Sequence, residues 1–156
     1  MRRHALTKVL PYAPDQLFRL VGDVDRYPEF VPWRTTMRTW NAHEIEPGVN
    51  CVDAEAGVGF SFLRETFATR VIRDANARHI GVNLIRGPFR ALNNDWRFAP
   101  AEGGGTKIDF SIAFEFKSRL LDAFLAANMD RAIDKLIACF EARAEALYGA
   151  EAAQQA

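Results

Sequence analysis

The sequence contains few of the residues that form metal or redox centres. Its two cysteines, Cys51 and Cys139, lie far apart and match no metal-binding or redox spacing. Isolated cysteines of this kind are typical of small buried hydrophobic positions in a reducing compartment. The three histidines, His4, His43 and His79, lie near neither one another nor a carboxylate at ligand spacing. We therefore predict no metal site, and solvated positions at strand ends for the histidines.

The sequence also lacks net charge, because twenty basic residues balance twenty acidic ones. No overall field attracts nucleic acid or an anionic membrane, and we expect no DNA partner. The balance is uneven along the chain, since the stretch Arg64–Arg97 holds seven arginines against three acidic residues. This stretch predicts outward-facing arginines on strands, with a binding patch as the alternative.

No apolar run approaches the length of a membrane span, and the start, Met1–His4, leads into an alternating segment without the apolar region of a signal peptide. The expected location is the cytoplasm. Peripheral contact with the inner face of the inner membrane remains an open alternative.

Catalytic motifs are missing as well. The sequence has no Gly-x-Ser-x-Gly, no His-Glu-x-x-His, no phosphate loop and no dinucleotide-binding glycine pattern. Gly57-Val58-Gly59 is too short to indicate more than a bend, and Gly103-Gly104-Gly105 is typical of a hairpin turn. We predict that the protein is not an enzyme and uses no cofactor.

What the sequence has in abundance is phenylalanine, with twelve residues in a chain that is 49% hydrophobic. Because Phe lacks the polar group of Tyr and Trp, this surplus indicates a large dry interior. A chain of this length buries about 70% of its unfolded surface, enough for one core. We predict a single domain over residues 1–149 and a frayed tail over residues 150–156.

Hydrophobic periodicity predicts a strand, two short helices, about six antiparallel strands and one long helix. A strand from His4 to Leu10 precedes a helix that begins at Pro14 and ends near Gly22. A short helix plus loop follows over residues 23–33. Turn-forming residues then separate strands predicted at Thr35–Ile45, Val49–Ala56, Val58–Ile72, His79–Ile85 and Phe89–Phe98.

The last strand and the helix after it define the expected architecture. From Ile108 to Phe116 apolar residues alternate with polar ones, so one face packs and the other is wet. From Ser118 to Tyr148 apolar residues recur at helical spacing, with Gly149 as the expected end; such a helix spans about 45 Å. We therefore expect an α+β helix-grip fold, in which a curved antiparallel sheet wraps around a long C-terminal helix. The two short helices close one end and leave a cavity between sheet and helix.

Two asparagines fall on otherwise apolar faces. Asn128 lies on the apolar stripe of the long helix, and Asn94 shares the parity of Leu92 and Trp96. An unpaired buried amide costs about 1–3 kcal/mol. Each asparagine therefore bonds within the protein or contacts the polar head of a ligand.

In the long strand predicted after Gly57, the alternation of apolar and polar residues shifts by one position. Phe60 and Phe62 share one parity and Phe67 the other, which indicates a bulge near Leu63-Arg64. Arg64 and Glu65 are expected to pair across strands on the wet face, with an acid–base pair as the alternative.

Several motifs resemble a known family. The most specific is Tyr27-Pro28-Glu29-Phe30-Val31-Pro32-Trp33, accompanied by Tyr12-Ala13-Pro14, Gly87-Pro88-Phe89 and Trp96-Arg97-Phe98. Together they make residues 4–149 similar to the coenzyme Q-binding START-domain family, also known as polyketide cyclase/dehydrase-like, which includes bacterial ribosome-association toxins. One departure is Arg34, where the family often carries Cys.

This resemblance implies a helix-grip fold that binds ubiquinone or a similar polyprenyl lipid without turnover, in support of respiration and quinone biosynthesis. The runner-up is a toxin-like protein that binds the large ribosomal subunit. A polyketide cyclase or aromatase is a third alternative, which lacks a candidate acid–base set.

Apolar parity and the facing helical stripe select the candidate site. We predict a ligand cavity lined by Phe60, Phe62, Leu92, Trp96, Phe114, Phe116, Leu121, Phe124, Leu125, Asn128 and Met129. Large apolar residues in a loop with two prolines predict a gate that contacts membrane or partner. The gate consists of Tyr27, Pro28, Phe30, Val31, Pro32 and Trp33.

Overall fold

The computed structural model describes residues 1–31, 33, 36–60 and 63–155. Among these residues, no helix combines the length and the apolar character that crossing a membrane requires. The elements in chain order are β1 (Arg2–Leu10), α1 (Pro14–Gly22), a 3₁₀ helix (Val24–Glu29), β2 (Thr36–Glu46), β3 (Val49–Phe60), β4 (Leu63–Asp74), β5 (His79–Arg86), β6 (Phe89–Pro100), β7 (Thr106–Phe116), α2 (Arg119–Ala126) and α3 (Met129–Gln155).

The strands form one antiparallel sheet in the order β1-β7-β6-β5-β4-β3-β2, so the first strand in sequence pairs with the last. The alternation along β7 sorts its side chains: Phe110 and Phe114 are buried on the face that meets the helices, and Ser111 is exposed on the other. We call these the inner and outer faces. On the inner face α3 buries Ile133 and Phe140 in the main core. The expected curved sheet with a long C-terminal helix is confirmed.

The two short helices after β1 are also confirmed. Pro14 opens α1, where its missing N–H costs nothing, and the Ala13 N–H donates to Gln16 Oε1 at 3.0 Å. Leu17 and Leu20 then bury one side of α1 in the core. The following segment was expected to contain no regular helix from Tyr27 onward, yet the 3₁₀ helix continues to Glu29. So short a helix has few backbone hydrogen bonds to lose at a proline.

The boundary between β3 and β4 differs from the prediction. Gly57 is not a turn but lies within β3, opposite Thr36 and Thr66. The chain reverses further on, where Phe60 pairs with Leu63, so the phase change came from a hairpin and not from a bulge. Only residues 61–62 separate the two strands, and neither is Gly or Pro. Nothing in the local sequence therefore marked the reversal.

The predicted single C-terminal helix is interrupted. α2 ends at Ala126, and α3 begins at Met129. Between them the Asn128 side chain donates to the Phe124 carbonyl at 2.9 Å, which is the kind of local bond by which Asn competes with helix geometry. At its other end α3 continues past Gly149 to Gln155, so Gly149 does not end the helix. A glycine inside a helix costs about 1 kcal/mol, which weakens a helix without ending it.

Candidate ligand cavity

A cavity of about 320 Å³ lies between the inner face of the sheet and the helices. Six strands, the 3₁₀ helix and α3 contribute to its walls, and none of the described residues that line it is charged. The lining consists of Val24, Tyr27, Val31, Trp33, Met37, Ala54, Ala56, Val58, Phe67, Thr69, Val71, Ile80, Val82, Phe89, Leu92, Asn94, Trp96, Phe110, Ile112, Phe114, Phe116, Met129, Leu136 and Phe140. Small residues on β3 leave the space that the large residues of β6 and β7 surround.

Stacked aromatic rings border the cavity where β6 and β7 approach α2. Phe89 stacks on Phe116 with ring centroids 4.5 Å apart, and Phe67 meets Phe89 edge-on at 5.4 Å. Gly87 makes this arrangement possible: its φ is +150°, and a Cβ there would lie 2.6 Å from the Phe67 Cβ. The Gly87-Pro88-Phe89 motif therefore brings Phe89 into the cavity wall beside Phe67.

Two non-aromatic polar residues, Asn94 and Thr69, belong to the lining. The Asn94 amide donates to the Ser111 carbonyl at 2.8 Å, and its oxygen accepts from Trp96 Nε1 at 2.8 Å. Asn94 thus bonds within the protein, which was one of the two alternatives given in the sequence analysis. Thr69 is 6% exposed, and its hydroxyl makes no hydrogen bond within the described residues. A ligand carbonyl near Thr69 would find a donor there.

The structure brings together five of the predicted cavity residues. Leu92, Trp96, Phe114, Phe116 and Met129 all line the cavity. The structure describes neither Phe62 nor the side chain of Phe60.

Four predicted residues are absent from the lining, in contrast to the sequence analysis. They belong to α2 and to the break after it, and none of them is fully buried; they are Leu121, Phe124, Leu125 and Asn128. The prediction extended the stripe of α3 backwards through one continuous helix. Since the helix breaks before Met129, that stripe does not continue onto α2.

The predicted gate divides between the cavity and the core behind it. Tyr27, Val31 and Trp33 line the cavity, and Val31 is buried. Phe30 packs edge-on against Phe140 with centroids 5.2 Å apart. Pro28 lies in the 3₁₀ helix, and Pro32 lies outside the described residues. A gating role for this segment stays a prediction.

Tyr27 is held firmly within that segment. Its hydroxyl donates to the Val21 carbonyl, and burial raises its pKa strongly. Its ring meets Phe140 edge-on at 5.3 Å. The hydroxyl is therefore a neutral group committed to the protein backbone.

Sequence reasoning missed the walls contributed by β2 to β5. The inner parity of β3, with Ala54, Ala56 and Val58, was visible as alternation, and it could have been matched to Phe67 and Val71 on β4. The misplaced turn at Gly57 concealed this parity, because it divided β3 before its last cavity residue.

Two histidines contact a carboxylate in the folded chain, which the sequence analysis did not expect. His79 Nε2 lies 2.7 Å from Asp95 on the outer face, and His4 Nδ1 lies 3.2 Å from Asp130. Sequence spacing could not show these pairs because they join separate elements. Across the described residues, no group of three or more His, Cys, Asp or Glu could hold a metal. Cys51 is buried, as predicted, whereas Cys139, for which the same was predicted, is only partly buried.

Arg70 and Arg86 lie on the outer face of the sheet and are paired, whereas Arg73 donates to the Gly22 carbonyl of α1. Arg70 Nε lies 2.9 Å from Asp53, and this contact lowers the pKa of that buried carboxyl. Arg86 similarly pairs with Glu55 at 2.6 Å. The predicted pairing that involved Arg64 was wrong, since it forms no ion pair within the described part of the chain.

Comparison with known proteins assigns the family. A family model described as polyketide cyclase/dehydrase and lipid transport matches residues 10–141. The chain belongs to this family. Solved START-superfamily and aromatase/cyclase structures below 25% identity share its fold, which confirms the helix-grip architecture and carries no activity to this chain.

Three relatives illustrate the range of the family. A solution structure of an 18 kDa protein from Caulobacter crescentus is 66% identical, with a TM-score of 0.79 over 96% of this chain and 99% of that one. The ribosome association toxin RatA of Rickettsia prowazekii is 35% identical over 89% of this chain and 93% of the relative. The mitochondrial coenzyme Q-binding protein COQ10 homolog B of Xenopus laevis is 29% identical over 92% of this chain and 58% of the relative.

Proposed function

We propose that the protein binds a prenylated quinone, of the ubiquinone type, or a similar polyprenyl lipid in the inner-face cavity. The observation that carries this proposal is a cavity with aromatic and aliphatic walls, in which no described lining residue is charged. Such walls favour an apolar ligand, and a few polar groups orient it. The physiological role that follows is support of respiratory electron transport and quinone biosynthesis.

The size of the cavity supports a ring with a short stretch of tail. An apolar protein cavity of about 150 Å³ holds benzene, and this cavity has about 320 Å³. A substituted quinone ring and the first part of its tail would fill it. Each buried prenyl unit of about five carbons contributes about 1.5 kcal/mol at roughly 0.3 kcal/mol per atom. Affinity therefore comes from the tail and ring surface, and selectivity from the polar groups.

Thr69 is the polar lining residue that would select the head. A quinone presents two carbonyl oxygens and no donor, so it needs hydrogen-bond donors at its ends. The Thr69 hydroxyl can supply one without losing a protein bond. The Asn94 amide already donates to Ser111, so it holds the shape of the wall.

We propose binding without turnover, at a cytoplasmic location. Within the part of the lining that the structure describes, no carboxylate, histidine or lysine could transfer a proton to a bound ring. The relative named as coenzyme Q-binding supports the choice of ligand.

The test combines extraction with a variant that fills the cavity. The protein purified from its native host is extracted with organic solvent, and the extract is analysed by mass spectrometry for prenylated quinones. Ala54→Phe places a ring in the cavity, because Ala54 lines it. Ala99→Phe is the matched control on the exposed outer face of β6.

We expect quinone in extracts of the wild type and of Ala99→Phe, and at least tenfold less from Ala54→Phe at equal fold content by circular dichroism. Equal quinone in both variants, or none in the wild type, would contradict the proposal.

A second candidate is association with the large ribosomal subunit. A relative named as a ribosome association toxin matches over 93% of its own length, which favours it. Co-sedimentation with large subunits across a salt series tests it, since phosphate contacts weaken steeply with salt. Salt-sensitive co-sedimentation that Ala54→Phe leaves unchanged would support a ribosomal role independent of the cavity.

A further inference from the structure

α2 is an amphipathic helix that buries none of its residues. Leu120 is 83% exposed, and Leu121 and Leu125 are only half-buried. The N-terminal end of the helix is capped normally, as Ser118 Oγ accepts from the Leu121 N–H at 3.2 Å. An ordered helix therefore presents apolar side chains to solvent.

Three exposed cations surround the start of α2. Arg90, Lys117 and Arg119 border a surface depression of about 290 Å³, and none of them forms an ion pair within the described residues. Their charges are therefore available to an external partner.

The acidic groups of the same region are neutralised from the opposite side. Arg2 on β1 donates to Asp122 at 2.8 Å and 3.1 Å, and this contact lowers the pKa of that carboxyl. The amino terminus lies 3.7 Å from Glu115. Because Arg2 and the amino terminus pair with these two acids, the outward surface beside α2 keeps a net positive charge.

This surface adjoins the cavity. Phe116, just before α2 in the chain, lines both the cavity and the basic depression, and Met129, just after α2, also lines the cavity. A molecule leaving the cavity between Phe116 and Met129 would meet α2 next.

We propose that α2 and its basic flank, Arg90, Lys117 and Arg119, dock the protein onto an anionic lipid bilayer. Leu120 enters the acyl boundary, and the three cations meet the negative headgroups, as in amphipathic helices that lie in the membrane interface. The sequence analysis placed membrane contact at residues 27–33. There Val31 is buried, whereas α2 exposes both the apolar side chain and the charges.

Docking also resolves a difficulty of size, and only this step rests on the proposed function. A cavity of about 320 Å³ holds a ring and a short chain, so the rest of a long prenyl tail must lie elsewhere. With α2 in the bilayer, the tail would pass by Phe116 into lipid without crossing water.

The test is co-sedimentation with vesicles of phosphatidylcholine plus phosphatidylglycerol, and with vesicles of phosphatidylcholine alone. No quinone is added, so the outcome is independent of the proposed ligand. We expect binding to the anionic vesicles that falls with salt. Leu120→Ser should weaken it severalfold, and the double change Lys117→Gln with Arg119→Gln on the order of twentyfold, at about fivefold per charge.

Matched controls distinguish α2 from the general surface. Leu147→Ser removes another half-exposed leucine from a helix, and Lys107→Gln removes an exposed cation at the far end of β7. Both should bind as the wild type does. Failure of the wild type to bind anionic vesicles, or equal losses in the controls, would overturn the proposal. The Ala54→Phe variant should still bind anionic vesicles, so this experiment distinguishes failure of the proposed ligand binding from failure of the proposed membrane docking.

Discussion

The two ends of the cavity are built in opposite ways. At the end closed by α1 and the 3₁₀ helix, aromatic rings from separate elements meet: Phe140 of α3 lies 5.2 Å from Trp96 and 5.3 Å from Tyr27. At the other end the cavity is lined by Phe116 and Met129, and α2, which lies between these two residues in the chain, buries none of its own residues. One end is a packed core, and the other is a helix whose apolar residues are at most half-buried.

The difference shows how this fold separates stability from access. Buried aromatic contacts are costly to break, so the packed end is expected to open only on unfolding. An end with little buried apolar area opens at small cost, which suits the entry of a ligand that fills an apolar cavity. The following predictions test this contrast, from the largest effect to the smallest.

The largest expected effect on stability comes from removing the Phe140 ring at the centre of the packed end. Phe140 is 6% exposed, and Phe140→Ala should lower the free energy of unfolding by about 3–5 kcal/mol through lost burial and a new void. Urea unfolding followed by tryptophan fluorescence measures it.

Leu120→Ala is the counterpart on α2. Because Leu120 is 83% exposed, the free energy of unfolding of the Leu120→Ala variant should stay within about 0.5 kcal/mol of the wild-type value. Similar losses in the two variants would mean that the ends do not differ.

A smaller effect is expected from one hydroxyl at the packed end. Tyr27→Phe leaves the Val21 carbonyl without its donor, and an unsatisfied buried acceptor costs about 1–3 kcal/mol. Tyr148→Phe is the control, since the Tyr148 hydroxyl makes no hydrogen bond within the described residues. Urea unfolding of both variants should show a loss for Tyr27→Phe alone; an unchanged Tyr27→Phe would argue against a firmly held segment.

The smallest effects are opposite pH dependences of the two ends. The hydrogen bond from Tyr12 to Glu145, with burial, raises the pKa of Tyr12 to about 12. The unfolded value is about 10, so this stabilisation is complete below pH 10 and is lost as pH rises through about 12. Tyr12→Phe should flatten the alkaline limb of stability against pH.

At the α2 end the dependence reverses. Arg2 lowers the pKa of Asp122 against the opposing effect of burial. Its stabilisation is therefore present above the unfolded pKa of about 3.9 and is lost as pH falls below it. Asp122→Asn should flatten the acid limb only, in urea unfolding over a pH series. A loss of the alkaline limb in this variant would contradict the assignment.

Much of the fold follows from local sequence. Strict alternation from Ile108 to Phe116 specified a strand with one buried face, and Pro14 with Leu17 specified the start of α1. The family motifs gave the expected helix-grip fold, which the structure confirms. Four of the five predicted residues that line the cavity lie on β6 and β7, and they lie together because parity on a strand is a local property that burial preserves.

Other features were decided only by the tertiary structure. The β3–β4 reversal follows Phe60 without a Gly or Pro to mark it, so pairing with the neighbouring strands places it. The break at Asn128 depends on a competition between a side-chain hydrogen bond and helix continuity, which the packing on either side decides. The cavity itself is the space left where small residues of β3 face large ones of β7, and these strands are distant in sequence. Hydrophobic periodicity by itself determined which faces are apolar. Whether an apolar face became cavity wall, core or the exposed face of a helix depended on how elements far apart in the chain pack together.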